Sequence, residues 1–182
     1  MLFTGLPASG KSTLALATQD LLTSAGIGSS ILDGDALRRE VSSDLGFSAE
    51  DRAENLRRAA ELALARVQKG LVALMAMVAP YCQHRAQARA LHERAGWPFL
   101  EVFVNTPLEQ CVRRDPKGLY VLAQAGKLDH LTGWSDVYEP PLSPELELTP
   151  DMGSPARQAE LVFATYVSHS RSGSSPRSAA EI

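Results

Sequence analysis

The chain has 182 residues and a mass of 19.6 kDa, with 45% hydrophobic residues, which suits one compact domain better than two. Its 18 basic and 21 acidic side chains give a net charge of −3, so the overall charge gives no general attraction for nucleic acid. The longest apolar run, Leu71–Ala79, is far shorter than the roughly 20 residues of a membrane helix, which argues against a spanning segment.

The start of the chain carries no basic segment and no cleavage signal for export. The two cysteines, Cys82 and Cys111, stand far apart in sequence, and their spacing indicates neither a zinc site nor a disulfide framework. We therefore expect a cytoplasmic protein that contacts neither membrane nor nucleic acid. Few residues precede the first glycine, which is short for a central strand and suggests a piece of a longer chain.

Short apolar runs alternate with segments of helical length, which is typical of a parallel sheet covered by helices on both faces. The predicted strands are Leu2–Thr4, Ser30–Leu32, Leu71–Val78, Phe99–Val104 and Glu145–Leu148. The expected fold is therefore an α/β fold with a doubly wound, five-stranded parallel sheet.

The phosphate-binding pattern G-x-x-x-x-G-K-[ST] follows the first predicted strand and precedes a helix. Its residues, with the first residue of the helix after it, form the predicted ATP site: Gly5, Leu6, Pro7, Ala8, Ser9, Gly10, Lys11, Ser12 and Thr13. The glycines let backbone N–H groups face phosphate oxygens at the helix N-terminus. Lys11 is expected to reach the β- and γ-phosphates, and the Ser12 hydroxyl is the predicted Mg²⁺ ligand. The pattern predicts a P-loop NTPase; the alternative is a glycine- and serine-rich turn that carries a lysine by chance.

Two acidic residues, Asp33 and Asp35, follow the second predicted strand, with Gly34 between them. Open parallel sheets bind ligands at the carboxyl ends of their strands, so both carboxylates are expected near the P-loop. There an aspartate can orient metal-bound water or accept the proton of an attacking hydroxyl. Which of the two acts as the base stays open, and the alternative role for Asp35 is the N-cap of a helix over 36–44.

The segment from Ser48 to Lys69 has apolar residues at helical spacing and is predicted as one amphipathic helix. Ser48 is its predicted N-cap, and Asp51 stands at the spacing of a capping box. Residues 107–144 are mostly polar with several glycines, which predicts a mobile lid with short helical pieces. The domain is expected to span 1–168, and the Ser-, Gly- and Arg-rich residues 169–182 are predicted to form a disordered tail.

A series of short segments resembles the adenylyl-sulfate kinase family from about Phe3 to Leu148, in the same order. The matching segments include the P-loop, Asp33-Gly34-Asp35, Asp44-Leu45-Gly46-Phe47-Ser48, Asp51-Arg52, Glu54-Asn55, Arg57-Arg58, Thr106-Pro107-Leu108-Glu109, Arg114-Asp115-Pro116-Lys117-Gly118 and Thr132-Gly133. The resemblance implies transfer of the ATP γ-phosphoryl group to the 3′-hydroxyl of adenylyl sulfate, with Mg²⁺ as the cofactor. A homodimer and fusion to, or association with, ATP sulfurylase are both compatible with it.

Residue roles follow from the resemblance and from side-chain chemistry together. The predicted catalytic residues are Lys11, Asp33 and Asp35, and Arg114 joins the ATP site from the lid. The predicted substrate-binding residues are Asp35, Arg38, Phe47, Arg52, Asn55, Val78, Ala79, Lys117 and Leu131. By analogy with the family, Phe47 stacks on the adenine, whereas Arg38, Arg52 and Asn55 hold the phosphosulfate and the ribose. Taken alone, Arg38, Arg114 and Lys117 would be ordinary solvated charges, and Phe47 would be a hydrophobic staple.

The sequence departs from the family at two places. Ala79-Pro80-Tyr81-Cys82 stands where many members have Ser-Pro-Tyr-Arg, so a phosphoserine there is impossible and direct in-line transfer is expected. Leu131 replaces a usual phenylalanine and Asp129 a frequent lysine. Because one stacking face is worth about 1–3 kcal/mol, we expect weaker substrate binding. Trp134 is a candidate replacement for that face; the alternative is that it packs against Tyr138 or Trp97.

Two other functions stay open at this point. Another small-molecule P-loop kinase, for gluconate, shikimate or a nucleotide, shares the P-loop and the acidic pair but leaves Phe47, Arg52 and Asn55 without a role. A non-catalytic nucleotide-sensing domain of a fused sulfurylase would fit the changes at Leu131 and Asp129. The intact Lys11 and Ser12 argue against that second function.

Overall fold

The computed structural model describes residues 1–172. Within this range the strands are β1 (Leu2–Thr4), β2 (Ser29–Asp33), β3 (Val72–Ala76), β4 (Glu101–Val104) and β5 (Leu146–Leu148). They form a five-stranded sheet in the order β2-β3-β1-β4-β5, and every pairing is parallel. The predicted α/β fold with its parallel sheet is therefore confirmed for the described residues, with strand ends that differ from the predicted ones by at most two residues.

Helices cover both faces of the sheet. They are α1 (Lys11–Ser24), α2 (Gly34–Glu40), α3 (Ala49–Gln68), α4 (Cys82–Arg94), α5 (Leu108–Arg114), α6 (Leu119–Gln124) and α7 (Pro155–Ser172), with a 3-10 turn at Pro150–Met152. Successive side chains of a strand point to opposite faces, so Leu2 packs in the cluster that includes Leu56 of α3, and Phe3 in the cluster that includes Leu14 of α1. Two separate apolar cores result, one on each side of the sheet.

Helix α2 begins earlier than predicted, and Asp33 rather than Asp35 is its N-cap. Asp33 Oδ1 accepts hydrogen bonds from the backbone N–H groups of Asp35 at 3.0 Å and Ala36 at 3.3 Å. The alternative role of Asp35, as the N-cap of a helix over 36–44, is therefore wrong. A Cβ at Gly34 would lie only 3.3 Å from the carbonyl oxygen of Ala76, so a glycine lets the helix start at once where β2 ends.

The long predicted helix forms as α3, and the Ser48 hydroxyl oxygen caps it by accepting from the Asp51 N–H at 3.1 Å. The expected capping box is not reciprocal. Asp51 Oδ2 accepts instead from the Gly46 N–H at 3.0 Å. The cap therefore ties the preceding loop, with Phe47 in it, to the first turn of the helix.

The predicted lid, residues 107–144, contains α5, α6 and a closing turn. A small core of its own joins Cys111, Tyr120 and Leu131, all of them buried. The Tyr120 hydroxyl donates to the carbonyl oxygen of Pro7 at 3.1 Å. The lid therefore packs directly against the phosphate-binding loop.

Helix α7 continues through His169 to Ser172, so the first residues of the predicted 169–182 tail are helical. The remainder of that prediction, residues 173–182, lies outside the described residues. No helix in the described part of the chain has the length and apolar character needed to cross a membrane.

Candidate active site

A cavity of about 690 Å³ runs along the edge of the sheet where the parallel strands end. It brings together most of the predicted site residues: Pro7, Ala8, Ser9, Gly10, Lys11, Ser12, Thr13, Asp33, Asp35, Arg38, Phe47, Arg52, Asn55, Val78, Ala79, Arg114, Lys117 and Leu131. Gly5 and Leu6 lie behind this wall and shape the loop without lining the cavity. The P-loop, the acidic pair, α3 and the lid thus share one space.

The phosphate-binding loop depends on glycine at both of its ends. A Cβ at Gly5 would lie 2.5 Å from the carbonyl oxygen of Val104, so the chain can leave β1 this close to β4 only with glycine there. Gly10 has φ +108° and caps α1 without any side-chain hydrogen bond. The N–H groups of the first turn of α1 are therefore left for an anionic ligand, with the helix dipole behind them.

Lys11 is folded back over its own loop. Its Nζ donates to the carbonyl oxygens of Gly5 at 3.0 Å and Leu6 at 2.6 Å. Burial lowers the pKa of Lys11 from 10.5 to about 8. A phosphate oxygen would stabilise the charged form far better than two carbonyl dipoles do, so the ammonium group is poised for phosphate.

Arg114 of α5 and Thr106 at the end of β4 meet the same loop from the opposite side. Arg114 Nη1 donates to the carbonyl oxygen of Ser9 at 3.2 Å, and the Thr106 hydroxyl donates to the same oxygen at 2.8 Å. Arg114, which was predicted to join the ATP site, therefore contacts the P-loop. Thr106, which also lines the cavity, received no role from the sequence.

The two aspartates after β2 take different partners. The Ser12 hydroxyl donates to Asp33 Oδ2 at 2.7 Å, which joins the P-loop to the end of the strand. Asp35 forms an ion pair with Lys117 of the lid, and both side chains are more than half exposed. The lid therefore reaches across the cavity to the acidic pair.

Phe47 stands on the opposite wall with its ring half exposed. The Arg38 guanidinium carbon lies 4.3 Å from the ring centroid, and that of Arg52 lies 5.5 Å away. The aromatic face that was expected to be open to a base is thus shared with two cations. Arg38 is held there by donating from Nη1 to the carbonyl oxygen of Gly46 at 2.7 Å.

Asn55, one helical turn beyond Arg52, is 5% exposed and lines the same cavity. Its amide oxygen has no hydrogen-bond partner among residues 1–172. An unpaired buried acceptor costs about 1–3 kcal/mol, so a ligand that donates a hydrogen bond here would be stabilised. The substrate-binding role of Asn55 stays a prediction.

Val78 and Ala79 form the cavity wall at the end of β3. The carbonyl oxygen of Val78 accepts from the Thr4 hydroxyl at 2.7 Å, and that of Ala79 accepts from Arg85 Nη1 at 2.7 Å. Ala79 adopts φ +43°, a left-handed conformation that non-glycine residues seldom take. Buried side chains therefore fix the backbone of this wall, although Ala79 itself offers no hydroxyl to the site.

Leu131 lines the cavity but packs in the lid core against Tyr120 and Cys111. Trp134 is not among the residues that line the cavity. Its ring lies edge-on to Tyr120, with centroids 6.3 Å apart, rather than on Tyr138 or Trp97. Neither of the two positions expected for Trp134 is the one observed in this structure.

A further wall of the cavity was not predicted from the sequence, because the family resemblance ends at Leu148 and no site residue was assigned beyond it. It is made by Thr149, Pro150 and Gly153, which connect β5 to α7, and by Gln158 in the first turn of α7. Gln158 Nε2 donates to the carbonyl oxygens of Thr149 at 3.0 Å and Gly153 at 3.3 Å, which holds this connection together. Strand β5 ends at the same edge of the sheet as the P-loop strand, but its place in the sheet follows from the strand order and not from spacing along the chain.

Comparison with known proteins gives concordant results. The Adenylylsulphate kinase family profile matches residues 1–149. The adenylyl-sulfate kinase of Citrobacter koseri is 52% identical over 147 residues, which are 80% of this chain and 72% of that protein. The bifunctional enzyme CysN/CysC of Mycobacterium tuberculosis H37Rv is 46% identical over 160 residues, which are 88% of this chain and 26% of that protein. This chain thus spans about a quarter of the bifunctional relative's length.

Among solved structures, the Mycobacterium tuberculosis APS kinase CysC in complex with AMPPNP and APS superimposes with a TM-score of 0.89 at 46% identity. The match covers 91% of this chain and 96% of that one. The likeness therefore extends over most of this chain.

Proposed function

This chain belongs to the adenylylsulphate kinase family, and we propose that it transfers the γ-phosphoryl group of ATP to the 3′-hydroxyl of adenylyl sulfate. The products are 3′-phosphoadenylyl sulfate and ADP. The observation that carries the proposal is the one cavity that joins a P-loop to a wall made of Phe47, Arg52 and Asn55. A P-loop alone serves many phosphoryl acceptors, whereas this second wall offers an aromatic face, a cation and an unpaired amide.

ATP occupies the P-loop end of the cavity in this proposal. Lys11 Nζ exchanges its two carbonyl partners for phosphate oxygens, and the first turn of α1 donates its N–H groups to the same anion. Arg114 adds a second positive charge at the Ser9 side of the loop. The cavity continues to Thr149 and Gln158, which gives the base of ATP a place between β5 and α7.

The Ser12 hydroxyl and the Asp33 carboxylate fit Mg²⁺, because they are hard oxygen donors joined at 2.7 Å beside the phosphate loop. Among the described residues no group of three or more His, Cys, Asp and Glu side chains could hold a metal ion. This favours an ion held by one or two side chains together with phosphate oxygens, as is usual for Mg²⁺. When bound, it would neutralise charge on the phosphoryl group in transfer.

The acceptor lies between Phe47 and the acidic pair. Asp35 or Asp33 accepts the proton of the 3′-hydroxyl as the oxygen attacks the γ-phosphorus. Lys117 forms an ion pair with Asp35 and can shift to the phosphoryl oxygens as negative charge spreads over them. Since Ala79 carries no hydroxyl, transfer is direct and in line, without a phosphoserine at this place.

We also place the reaction in the cytoplasm, where ATP is at hand. A homodimer, and fusion to or association with an ATP sulfurylase, remain proposals. The relative from Mycobacterium tuberculosis is called bifunctional, and this chain matches 26% of it. The mass of the native protein and of its complexes in solution would test both proposals.

The test is ADP release with Mg²⁺-ATP and adenylyl sulfate, run beside gluconate, shikimate and AMP as other acceptors. Turnover with adenylyl sulfate alone, lost in Lys11→Ala, is the expected result. Activity that persists in Lys11→Ala would indicate a contaminating enzyme. No turnover with any acceptor, together with tight binding of 3′-phosphoadenylyl sulfate, would instead indicate a nucleotide-sensing domain and overturn the proposal.

A further inference from the structure

We propose that Asp136 of the lid is a positioning residue that fixes the Arg52 guanidinium for the anionic phosphosulfate group of the substrate. The inference rests on the proposed function and deepens it. Asp136 does not line the cavity, whereas Arg52 does. Asp136 therefore acts through Arg52 and not by touching the substrate.

Arg52 is held on two of its three nitrogens. Its Nε donates to the carbonyl oxygen of Phe47 at 2.9 Å, and its Nη2 donates to the carbonyl oxygen of His130 at 2.7 Å and to Asp136 Oδ2 at 3.2 Å. Nη1 has no hydrogen-bond partner anywhere in residues 1–172. The guanidinium is planar, so fastening two nitrogens sets the direction in which the third can donate.

Burial makes this arrangement more than a surface contact. The side chains of Arg52 and Asp136 are 8% and 18% exposed. Solvent screens such a pair far less than it screens an exposed one, and removing one partner leaves the other poorly compensated. Arg52 on α3 and Asp136 in the lid are 84 residues apart in sequence, so the pair also couples the substrate helix to the lid.

The carboxylate of Asp136 reduces the repulsion between two cations that lie beside Phe47. Arg38 and Arg52 both lie against the ring of Phe47, with guanidinium carbons 4.3 Å and 5.5 Å from its centroid. Burial, and after it the positive charge of Arg52, lowers the pKa of Arg38. The carboxylate of Asp136 offsets the charge of Arg52 before a substrate arrives, which keeps the two cations together on one ring.

The lid presents Asp136 from a closed turn. The Ser135 hydroxyl accepts from the Leu131 N–H at 2.9 Å, and the Gly133 N–H donates to the carbonyl oxygen of Asp136 at 2.7 Å. Asp136 Oδ1 lies 3.3 Å from Nδ1 of His130, a residue in the left-handed region at φ +60°. Asp136 Oδ1 therefore contacts His130 within the turn, and Oδ2 accepts from Arg52. The turn thus sets the position of the carboxylate.

The experiment compares Asp136→Ala, Arg52→Ala and the double variant. For Asp136→Ala we expect KM for adenylyl sulfate to rise about 10- to 100-fold, as when an outer partner of a ligating group is lost, while KM for ATP and kcat stay within about twofold. Because Asp136 acts through Arg52, the double variant should match Arg52→Ala. Fold-changes that multiply in the double variant would overturn the proposal.

Matched variants separate positioning from folding. Asp129→Ala removes the same charge from the same lid segment but breaks no bond to Arg52. Asp129 lines the cavity, where an acid repels an anionic substrate, so KM should be unchanged or lower. Asp136→Glu, which keeps the carboxylate, should recover part of the affinity, and Asp136→Asn covers the case in which the alanine variant fails to fold. An equal rise in KM for adenylyl sulfate in Asp129→Ala and Asp136→Ala would overturn the proposal. A KM that is as high in both Asp136→Glu and Asp136→Asn as in Asp136→Ala would also overturn it.

Direct binding of adenylyl sulfate, measured by titration calorimetry on the same variants, distinguishes failure of this inference from failure of the proposed function. A wild-type protein that neither binds nor phosphorylates adenylyl sulfate overturns both. A wild-type protein that is active, with an Asp136→Ala variant that binds equally well, overturns only the positioning role.

Discussion

The Ser12 hydroxyl donates a 2.7 Å hydrogen bond to Asp33 Oδ2, and the other oxygen of the same carboxylate caps helix α2. One side chain thus connects the phosphate-binding loop, the end of β2 and the first turn of α2. The two oxygens have separable tasks, because a cap needs only an acceptor whereas a metal and a proton need the negative charge.

Asp33→Asn should abolish most activity and leave stability almost unchanged. Asparagine is as good an N-cap as aspartate, so the free energy of unfolding should stay within about 0.5 kcal/mol of the wild type. The lost charge should lower kcat by about 100-fold or more. Asp33→Ala should lose the activity and also about 1 kcal/mol of stability. Steady-state kinetics and urea unfolding measure the two effects, and an Asp33→Asn variant with wild-type kcat would leave Asp33 as a cap alone.

ATP affinity should fall as pH rises above about 8. Burial lowers the pKa of Lys11 to about 8, and bound phosphate favours the charged lysine. Binding is therefore insensitive to this group below about pH 8 and weakens above it, by up to about tenfold per pH unit. Titration calorimetry with a non-hydrolysable ATP analogue from about pH 7.5 to about pH 9.5 measures it. Lys11→Met should bind weakly at every pH, and an identical slope in that variant would assign the effect to another group.

Lys11 also gives the stability of the empty protein a pH dependence of definite sign. In the unfolded chain the lysine titrates near its ordinary 10.5, so between about pH 8 and that value the unfolded state binds more protons than the folded state. The contribution of Lys11 to the free energy of unfolding therefore rises with pH across this window. Urea unfolding of the wild type and Lys11→Met at both ends of the window measures this contribution. The free energy of unfolding of the wild type minus that of Lys11→Met should increase as pH rises.

The fold was predictable because its signals are local. The P-loop motif predicts the strand before it and the helix after it, and short apolar runs predict the other strands. The cap of α2 was not, because aspartates on either side of Gly34 both suit a helix start and only the packing of Gly34 near the Ala76 carbonyl decides between them. The Arg52–Asp136 pair joins residues that are 84 positions apart, and the β5–α7 wall depends on sheet order. Neither can be read from spacing along the chain.

Phe47→Ala should weaken binding of adenylyl sulfate more than that of ATP. Loss of one stacking face costs about 1–3 kcal/mol, so KM for adenylyl sulfate should rise about 5- to 100-fold while KM for ATP stays constant. Phe47→Leu keeps the bulk of the side chain without an aromatic face, so its KM for adenylyl sulfate should lie between those of the wild type and Phe47→Ala. Since Arg38 and Arg52 rest on the same ring, steeper salt dependence of KM in Phe47→Ala is also expected. Equal effects on both substrates would place Phe47 outside the substrate wall.

Among the charged residues outside the catalytic groups, Arg85 should lower the free energy of unfolding most when it is replaced. Its side chain is 2% exposed, and Nε donates to Glu101 Oε1 at 2.6 Å while Nη1 holds the carbonyl oxygen of Ala79 on the cavity wall. Arg85→Ala should cost about 3 kcal/mol of unfolding free energy. That is the low end for breaking a buried pair, because Arg89 remains 3.6 Å from Glu101 Oε2.

The matched control is Arg57→Ala, which removes exposed ion pairs with Glu54 and Glu61 and should leave the free energy of unfolding almost unchanged. Replacing both partners, Arg85→Met with Glu101→Gln, should recover part of the loss because no charge is then left buried without a partner. Denaturant unfolding measures all three variants. The double variant should still raise KM for adenylyl sulfate, since the Ala79 carbonyl has lost the donor that fixes its left-handed backbone. Equal costs for Arg85→Ala and Arg57→Ala would mean that burial gives this ion pair no special weight.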